Sequence, residues 1–282
     1  MSSFTPSWSC MLPAQLPPPT KDEPLWEYIL NNTLLPMRKR MGWNRYYPDV
    51  SNFLQQHFAD ERRRGGNEFG ARLRIVEIGT AYGGNANHML RTIANAEVCA
   101  VDPFMAGYDK HDATSLKYSG WSQKFNVTNE QFSTAWAHAM AANLNMRYGC
   151  RYHLMHMPSL RGASFFNERS LDVVFIDGLH TYRGVKDDLA AWAPKVRERG
   201  LLLFNDYGHR NFPGVKQAVL EFANASVPRL EVVVGSEERL PGAGNAYMIT
   251  GSLPYAKRTR ERSASGHHGH GGGPARRAIS EW

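Results

Sequence analysis

Two Asp residues, each with a His three positions later, are the groups best suited to acid–base or metal chemistry. Asp177 and Asp206 each end a short apolar run, and His180 and His209 follow them. Apolar runs of this length are typical of strands, and the carboxyl ends of neighbouring parallel strands meet at one edge of a sheet. We therefore expect two carboxylates and two imidazoles at that edge.

Of the two imidazoles, His180 is the preferred general base, because an ordinary His pKa of about 6.5 lets it accept a hydroxyl proton near neutrality. His209 is the reserve candidate. The alternative is that both rings only hydrogen-bond loop backbone. Tyr182, Tyr207 and Trp121 are candidates for the wall of a substrate pocket, with core packing as the alternative.

A glycine-containing turn is the second candidate site. Residues 77–84 read Glu-Ile-Gly-Thr-Ala-Tyr-Gly-Gly and lie between an apolar run and a helix predicted near Asn85. Glycines in a strand-to-helix turn let a ligand approach the backbone closely. The turn departs from the dinucleotide fingerprint Gly-x-Gly-x-x-Gly, because Glu77 stands two residues before Gly79. A carboxylate there suits a cationic group better than a pyrophosphate.

Asp102 ends the next predicted strand, 23 residues after Gly79. This is close to the ~20-residue offset at which an acidic side chain accepts hydrogen bonds from ribose hydroxyls. Each signal alone is also typical of an ordinary turn or of an Asp that caps the next element. Together they predict a ligand with a nucleoside part.

Strand-sized apolar runs alternate with helical stretches from residue 73 onward. Nearly continuous Val, Ile and Leu indicate strands buried on both faces, and the intervening helices predict right-handed crossovers. One such helix buries Val185, Leu189 and Trp192, while residues 186–188 face away. The sequence predicts a doubly wound, mostly parallel, seven-stranded α/β sheet. The predicted strands are 73–78, 98–102, 152–156, 171–177, 201–206, 230–234 and 246–250.

Four regions are predicted along the 282 residues. Residues 1–20 are rich in Pro and are predicted to be flexible, and residues 21–69 to form a helical N-terminal cover. Residues 70–255 form the main domain. Residues 256–282 are predicted to be a disordered, basic, Gly/His-rich tail.

Composition excludes several classes of protein. No run approaches the ~18 apolar residues of a membrane-spanning helix, and the N-terminus lacks the pattern of a secretory signal. Three cysteines without a Cys-x-x-Cys pair provide no thiolate zinc site and predict a reducing, cytoplasmic location. The net charge of +7 is concentrated in the tail and does not predict a nucleic-acid-binding body.

Four ordered segments carry a family resemblance. Residues 76–84, 101–103, 171–182 and 200–207 closely resemble class I S-adenosylmethionine-dependent methyltransferases, which are Rossmann-like. Within that superfamily, the Ile-Asp-Gly-x-His-x-Tyr segment is similar to small-molecule and sugar O-methyltransferases and cephalosporin-hydroxylase-like proteins, the group of methyltransferase domain family 24. The resemblance spans roughly residues 70–250.

The resemblance implies that S-adenosylmethionine is the cofactor. Its methionine end would lie in the glycine turn, its ribose on Asp102 and its adenine near Ser159. Glu77 would lie near the cationic ammonium group of the cofactor. This agrees with the prediction that the turn suits a cationic group. The implied cofactor contacts are Glu77, Gly79, Thr80, Ala81, Tyr82, Gly83, Asp102, Ser159 and Asp177.

The resemblance also implies catalytic roles for Asp177, His180 and Asp206. Metal-dependent relatives bind a divalent ion at positions that correspond to Asp177, Asn205 and Asp206, and oxygen ligands of this kind suit Mg²⁺. Such an ion would lower the pKa of an acceptor hydroxyl. Leu179 stands where relatives often have Asp, and Asn205 where many have an acid or His, so metal dependence stays open.

The resulting hypothesis is that the protein is an enzyme that methylates a hydroxyl group of its partner, a small molecule or a sugar. The insert between residues 104 and 129 is the expected lid and the expected source of acceptor specificity. Two alternatives are a nicotinamide-dependent oxidoreductase on a similar sheet and a non-catalytic binding protein that keeps the cofactor fold. The oligomeric state is not encoded in these patterns.

Overall fold

The computed structural model describes residues 46–63, 72–105, 108–112, 123, 126–234 and 245–250. The predicted flexible N-terminus, the first part of the N-terminal cover, the basic tail and Trp121 lie outside the described residues. Within the described parts of the chain, no helix is long and apolar enough to cross a membrane. The cytoplasmic location stays a prediction.

A seven-stranded sheet forms the centre of the described domain, in the order β3-β2-β1-β4-β5-β7-β6. Neighbouring strands from β3 to β5 run parallel, and β7 is antiparallel to both β5 and β6. The predicted doubly wound, mostly parallel fold is therefore confirmed. The strands are β1 (Leu73–Ile78), β2 (Ala96–Val101), β3 (Tyr152–Met155), β4 (Leu171–Ile176), β5 (Val196–Phe204), β6 (Val233–Val234) and β7 (Ala246–Ile249).

Six α-helices flank this sheet in the described residues. Local signals begin two of them: the Thr128 side chain accepts a hydrogen bond from the Gln131 backbone in a capping box, and the Thr181 side chain accepts one from Gly184. The helices are α1 (Tyr46–Arg63), α2 (Gly84–Thr92), α3 (Asn129–Tyr148), α4 (Ser159–Ala163), α5 (Tyr182–Trp192) and α6 (Pro213–Ala225).

The sheet is buried on both faces because alternate strand residues point to opposite sides. Ile75 and Val173 belong to the core formed with α1, α2 and α3, whereas Val76 and Val174 belong to the core with α5 and α6. The described part of the N-terminal cover, α1, lies along one face, where the Phe53 ring is 4.6 Å from the Tyr247 ring. It therefore covers a face of the sheet.

Asp188 on α5 was expected to face away from the core, and that expectation was wrong. Its exposure is only 5%, because α5 is also covered by the short helix α4. The Ser159 hydroxyl donates a hydrogen bond to Asp188 Oδ1 at 2.5 Å, and Trp192 Nε1 donates to the same hydroxyl at 2.7 Å. Burial raises the pKa of Asp188 to about 7.

Replacing Asp188 by Asn tests this buried carboxyl. The folded-state pKa lies above the unfolded value of 3.8, so the wild-type protein loses stability as pH rises from about 4 to 7. Asp188→Asn keeps an acceptor for Ser159 and removes this loss, which is up to about 4 kcal/mol. Urea unfolding at pH 5 and pH 8 measures the part of this loss that falls between these pH values, about 3 kcal/mol. Asp60→Asn on α1, which is not among the groups that shift the pKa of Asp188, is the control and keeps the wild-type pH dependence; identical pH dependence in Asp188→Asn would contradict the assignment.

Candidate functional site

The glycine turn connects β1 to α2 at the carboxyl edge of the sheet. Gly79, Ala81 and Gly83 all adopt positive φ angles of 79°, 44° and 67°. The Gly83 backbone N–H donates to the Thr80 carbonyl at 2.7 Å and closes the turn. A Cβ at Gly83 would lie 2.3 Å from the flexible end of the Met140 side chain, which can shift, so the positive φ is the stronger reason for glycine here.

Gly79 is required by the neighbouring strand. A Cβ at this position would lie 2.1 Å from the Asp177 carbonyl oxygen and 2.7 Å from Gly178 Cα. The Asp177 backbone N–H also donates to the Ile78 carbonyl at 2.9 Å. Gly79 was predicted to let a ligand approach the backbone closely. In the structure, the group that lies close to Gly79 is the loop after β4.

Glu77 lies beneath the turn with an exposure of 1%. Its carboxylate accepts hydrogen bonds from Thr80 Oγ1 at 2.6 Å and from Asn85 Nδ2 at 3.0 Å. Burial raises the pKa of Glu77 to about 7, against the opposing effect of these hydrogen bonds. Glu77 therefore braces the turn from below, together with Asn85, which the sequence analysis used only to mark the start of the helix.

Asp102 joins the turn to the segment after β2. Its carboxylate accepts hydrogen bonds from the Ala81 backbone at 2.9 Å and the Phe104 backbone at 2.7 Å. Burial raises the pKa of Asp102. Each carboxylate oxygen can accept a second hydrogen bond, so Asp102 keeps capacity for ribose hydroxyls.

Tyr82 and Ser159 are the remaining predicted cofactor contacts. The Tyr82 ring packs edge-on against Trp136 at 4.9 Å, and Trp136 Nε1 donates to the Ala81 carbonyl at 2.9 Å. The Ser159 hydroxyl proton is committed to Asp188. An adenine contact by Ser159 stays a prediction, and in this arrangement the hydroxyl could only accept.

The loops after β4 and β5 form an acidic centre. Ligand atoms of Asp177, His180 and Asp206 all lie within 4.8 Å of one another. His180 Nε2 is 3.2 Å from Asp206 Oδ2 and 3.7 Å from Asp177 Oδ1. Asn205 Nδ2 donates to Asp177 Oδ1 at 2.8 Å. The structure therefore brings together the four residues that the sequence analysis placed at this edge as catalytic or metal-binding.

Asp112 completes the centre and was missed by the sequence analysis. It comes from the insert after β2, its exposure is 2%, and its Oδ2 accepts a hydrogen bond from the His180 backbone at 2.5 Å. The same oxygen lies 3.1 Å from His180 Nδ1. Asp112 follows no strand and belongs to no motif, so no sequence signal marked it.

The charge of His180 differs from the sequence expectation. Burial alone would lower the pKa of His180, but hydrogen bonds to Asp112, Asp177 and Asp206 outweigh it and raise the pKa to about 11. The imidazole is therefore protonated near neutrality, which is the wrong form for a general base. Burial raises the pKa of Asp177, with His180 opposing the rise.

The donor set fits a divalent cation. Two carboxylates and an imidazole can each offer one ligand atom at this point. Asn205 turns its amide nitrogen toward the carboxylates, and a half-turn of that amide would bring its oxygen there instead. His180 is thus a further candidate ligand beside the predicted Asp177, Asn205 and Asp206, provided that the cation displaces the proton from Nε2.

A pocket of about 220 Å³ adjoins the acidic centre. Its aromatic wall is Phe212, whose ring stacks on His180 at 4.3 Å and on His209 at 4.9 Å. Tyr182 also lines this pocket, whereas Tyr207 lies in the core beneath the sheet. His209 therefore lies at the edge of the site, where its ring contacts Phe212. The lining residues are His111, Asp112, His180, Thr181, Tyr182, Asn211, Phe212, Pro213 and Gly214.

Gly79→Ala tests the contact between the turn and the loop after β4. The added Cβ meets backbone atoms and cannot be relieved by a side-chain movement, so we expect a loss of at least about 2 kcal/mol beyond the cost of a positive φ angle. Gly149→Ala is the matched control, because Gly149 also has a positive φ and nothing lies within 4 Å of its Cβ. Chemical unfolding of both variants measures the difference, and equal losses would contradict the contact.

Known proteins provide an independent comparison. A sequence model of the family described as a methyltransferase domain matches residues 76–207. The uncharacterized protein y4gI of Sinorhizobium fredii (strain NBRC 101917 / NGR234) is 26% identical over 133 residues, 47% of this chain and 13% of that protein. The chain thus corresponds to only a small part of that curated relative.

Two solved structures illustrate the structural similarity. S-adenosylhomocysteine-bound methyltransferase PaMTH1 of Podospora anserina is 13% identical, with 80% of this chain and 86% of that chain covered and a TM-score of 0.47. The O-methyltransferase NovP is 18% identical, with 72% and 80% covered and a TM-score of 0.46. The chain therefore resembles this methyltransferase-domain family over residues 76–207, and its sheet has the mostly parallel order that the resemblance implies.

Proposed function

We propose that this protein transfers a methyl group from S-adenosylmethionine to a hydroxyl oxygen of a small molecule, with sugars among the candidate acceptors. The observation that carries the proposal is the position of Asp177. Its backbone contacts the glycine turn at Gly79, and its side chain belongs to the acidic centre beside the pocket. Donor and acceptor sites therefore share one residue.

The charge around the turn supports a cationic cofactor. Asp177 and Asp102 both act on Glu77 to raise its pKa further. A ligand with a sulfonium and an ammonium group relieves this accumulation of negative charge, whereas a pyrophosphate adds to it. The arrangement therefore disfavours the nicotinamide alternative.

Proton removal is the chemical task left to the protein. When bound, S-adenosylmethionine supplies a methyl group already activated on a sulfonium. A carboxylate of Asp177 or Asp206 is positioned to accept the acceptor's hydroxyl proton. The protonated His180 holds both carboxylates in place with one cation, and the Phe212 ring stacks on its imidazole.

Mg²⁺ fits the same centre. Asp177, Asp206 and either His180 or Asn205 would hold it, and when bound it would lower the pKa of a coordinated hydroxyl. Metal dependence is tested by removing divalent ions with EDTA and restoring Mg²⁺. Loss and recovery of turnover support a metal-assisted reaction, and unchanged turnover assigns proton removal to the carboxylates.

The function is tested with S-adenosylmethionine carrying a deuterated methyl group and a panel of phenols, nucleotide sugars and hydroxy acids. Mass spectrometry of the products should locate the label on an oxygen. Label on nitrogen or carbon contradicts the proposal. Calorimetric titration with S-adenosylhomocysteine and NADH separates the alternatives, because an oxidoreductase binds NADH, and a non-catalytic protein binds S-adenosylhomocysteine without turnover.

Asp177→Asn separates chemistry from cofactor binding. Asn keeps the side-chain shape but cannot accept the hydroxyl proton, so turnover should fall by about 100-fold or more. Affinity for S-adenosylhomocysteine should change much less. Comparison of initial rates with calorimetric affinities tests this, with the exposed Asp187→Asn on the next helix as control. Equal losses in rate and affinity would indicate a structural role.

Asp102→Ala addresses the ribose assignment. Loss of a charged acceptor should weaken S-adenosylhomocysteine binding by about 1–3 kcal/mol in calorimetry. Asp60→Ala on α1, remote from the turn, is the control. Unchanged affinity in Asp102→Ala would restrict Asp102 to bracing the backbone of Ala81 and Phe104.

A further inference from the structure

The described residues after β2 include contacts to both the glycine turn and the acidic centre. Asp102 follows β2 and accepts a hydrogen bond from the Ala81 backbone, and ten residues later Asp112 contacts His180, which follows β4. In the sheet, β1 lies between β2 and β4. Two strand spacings are only about 10 Å, so ten residues span the distance easily.

The contact made by Asp112 is specific in geometry. One carboxylate oxygen receives the backbone N–H of His180 at 2.5 Å and lies 3.1 Å from Nδ1 of the same residue. A single acceptor that contacts both the backbone and the ring restricts the rotation of the ring about its own side-chain bonds. With Nδ1 held in this way, Nε2 is directed at Asp177 and Asp206.

The groups around His180 restrict the orientation of its ring. Phe212 stacks on the ring at a centroid distance of 4.3 Å and an interplanar angle of 28°. Stacking by itself permits the ring to flip by about 180° in its own plane, which exchanges Nδ1 with Cδ2 and Nε2 with Cε1. The carboxylate of Asp112 distinguishes the two orientations, because only one of them places a nitrogen beside it.

We propose that Asp112 is a positioning residue of the methyl-transfer centre, which fixes His180 so that Nε2 faces the carboxylates of Asp177 and Asp206. The role of Asp112 in the reaction rests on the proposed function, but the contact between Asp112 and His180 can be tested without an acceptor substrate. Asp112 acts through His180, so its removal should disturb the reaction centre while the cofactor turn stays intact.

The experiment observes the His180 ring directly by NMR of protein with ¹⁵N-labelled histidine. The His180 ring signals are assigned by their loss in His180→Gln. In the wild-type protein, we expect a slowly exchanging N–H proton on Nδ1. In Asp112→Asn, the oxygen that accepts from both the backbone and Nδ1 becomes a neutral amide oxygen, so that signal should be strongly shifted or lost.

Asp109→Asn is the matched control, since it makes the same charge change in the same segment and Asp109 makes no hydrogen bond to His180 in the described residues. It should retain the wild-type His180 signals. Affinity of Asp112→Asn for S-adenosylhomocysteine, measured by calorimetry, should stay within about threefold of the wild-type value.

Two outcomes overturn the proposal. Unchanged His180 signals in Asp112→Asn, or a wild-type protein without a protected Nδ1 proton, would show that Asp112 does not hold the ring; the second measurement needs no variant. A large loss of S-adenosylhomocysteine affinity in Asp112→Asn would instead assign Asp112 to the cofactor crevice. Failure of the wild-type protein to bind S-adenosylhomocysteine refutes the proposed function and leaves the ring assignment to be decided by the NMR signals.

Discussion

The functional end of this protein depends on the close approach of two backbone segments, Gly79 after β1 and Asp177 after β4. Only a residue without Cβ allows this approach, because any side chain at Gly79 would overlap the Asp177 carbonyl. The approach follows from the adjacency of β1 and β4 at the point where the strand order reverses. This close approach places the glycine turn and the acidic centre next to each other without a long connecting element.

The second constraint is the concentration of carboxylates at this edge. Glu77, Asp102 and Asp112 are each held by hydrogen bonds from neighbouring backbone or side-chain groups. Asp177 and Asp206 share one imidazolium, His180, and Asp177 also accepts a hydrogen bond from Asn205. Buried negative charge of this kind is costly unless it is compensated, and the proposed cationic cofactor or a divalent ion would add to the compensation that the fold itself supplies.

Strand periodicity predicted most of the sheet, and its errors have specific causes. β2 begins at Ala96, earlier than expected, because buried Glu97 is compensated by His153 at 3.0 Å and Arg72 at 3.4 Å. β5 begins at Val196, before Gly200, since Arg197 pairs with Asp172 of β4 at 2.5 Å. In both strands, a polar residue that interrupts the apolar pattern is accommodated by an ion pair that only the neighbouring strand provides.

Sequence periodicity was sufficient to predict most of the elements and the meeting of Asp177, His180 and Asp206, because parallel strands that end in polar residues bring those residues to one edge. The burial of Asp188, the charge of His180 and the part played by Asp112 became visible only in the folded structure. The burial of Asp188 depends on Ser159, and the charge of His180 depends on Asp112 and Asp206, all of which lie far away in the chain. Local periodicity reports which face a residue occupies, but the electrostatic environment on that face is set by the segments that fold against it.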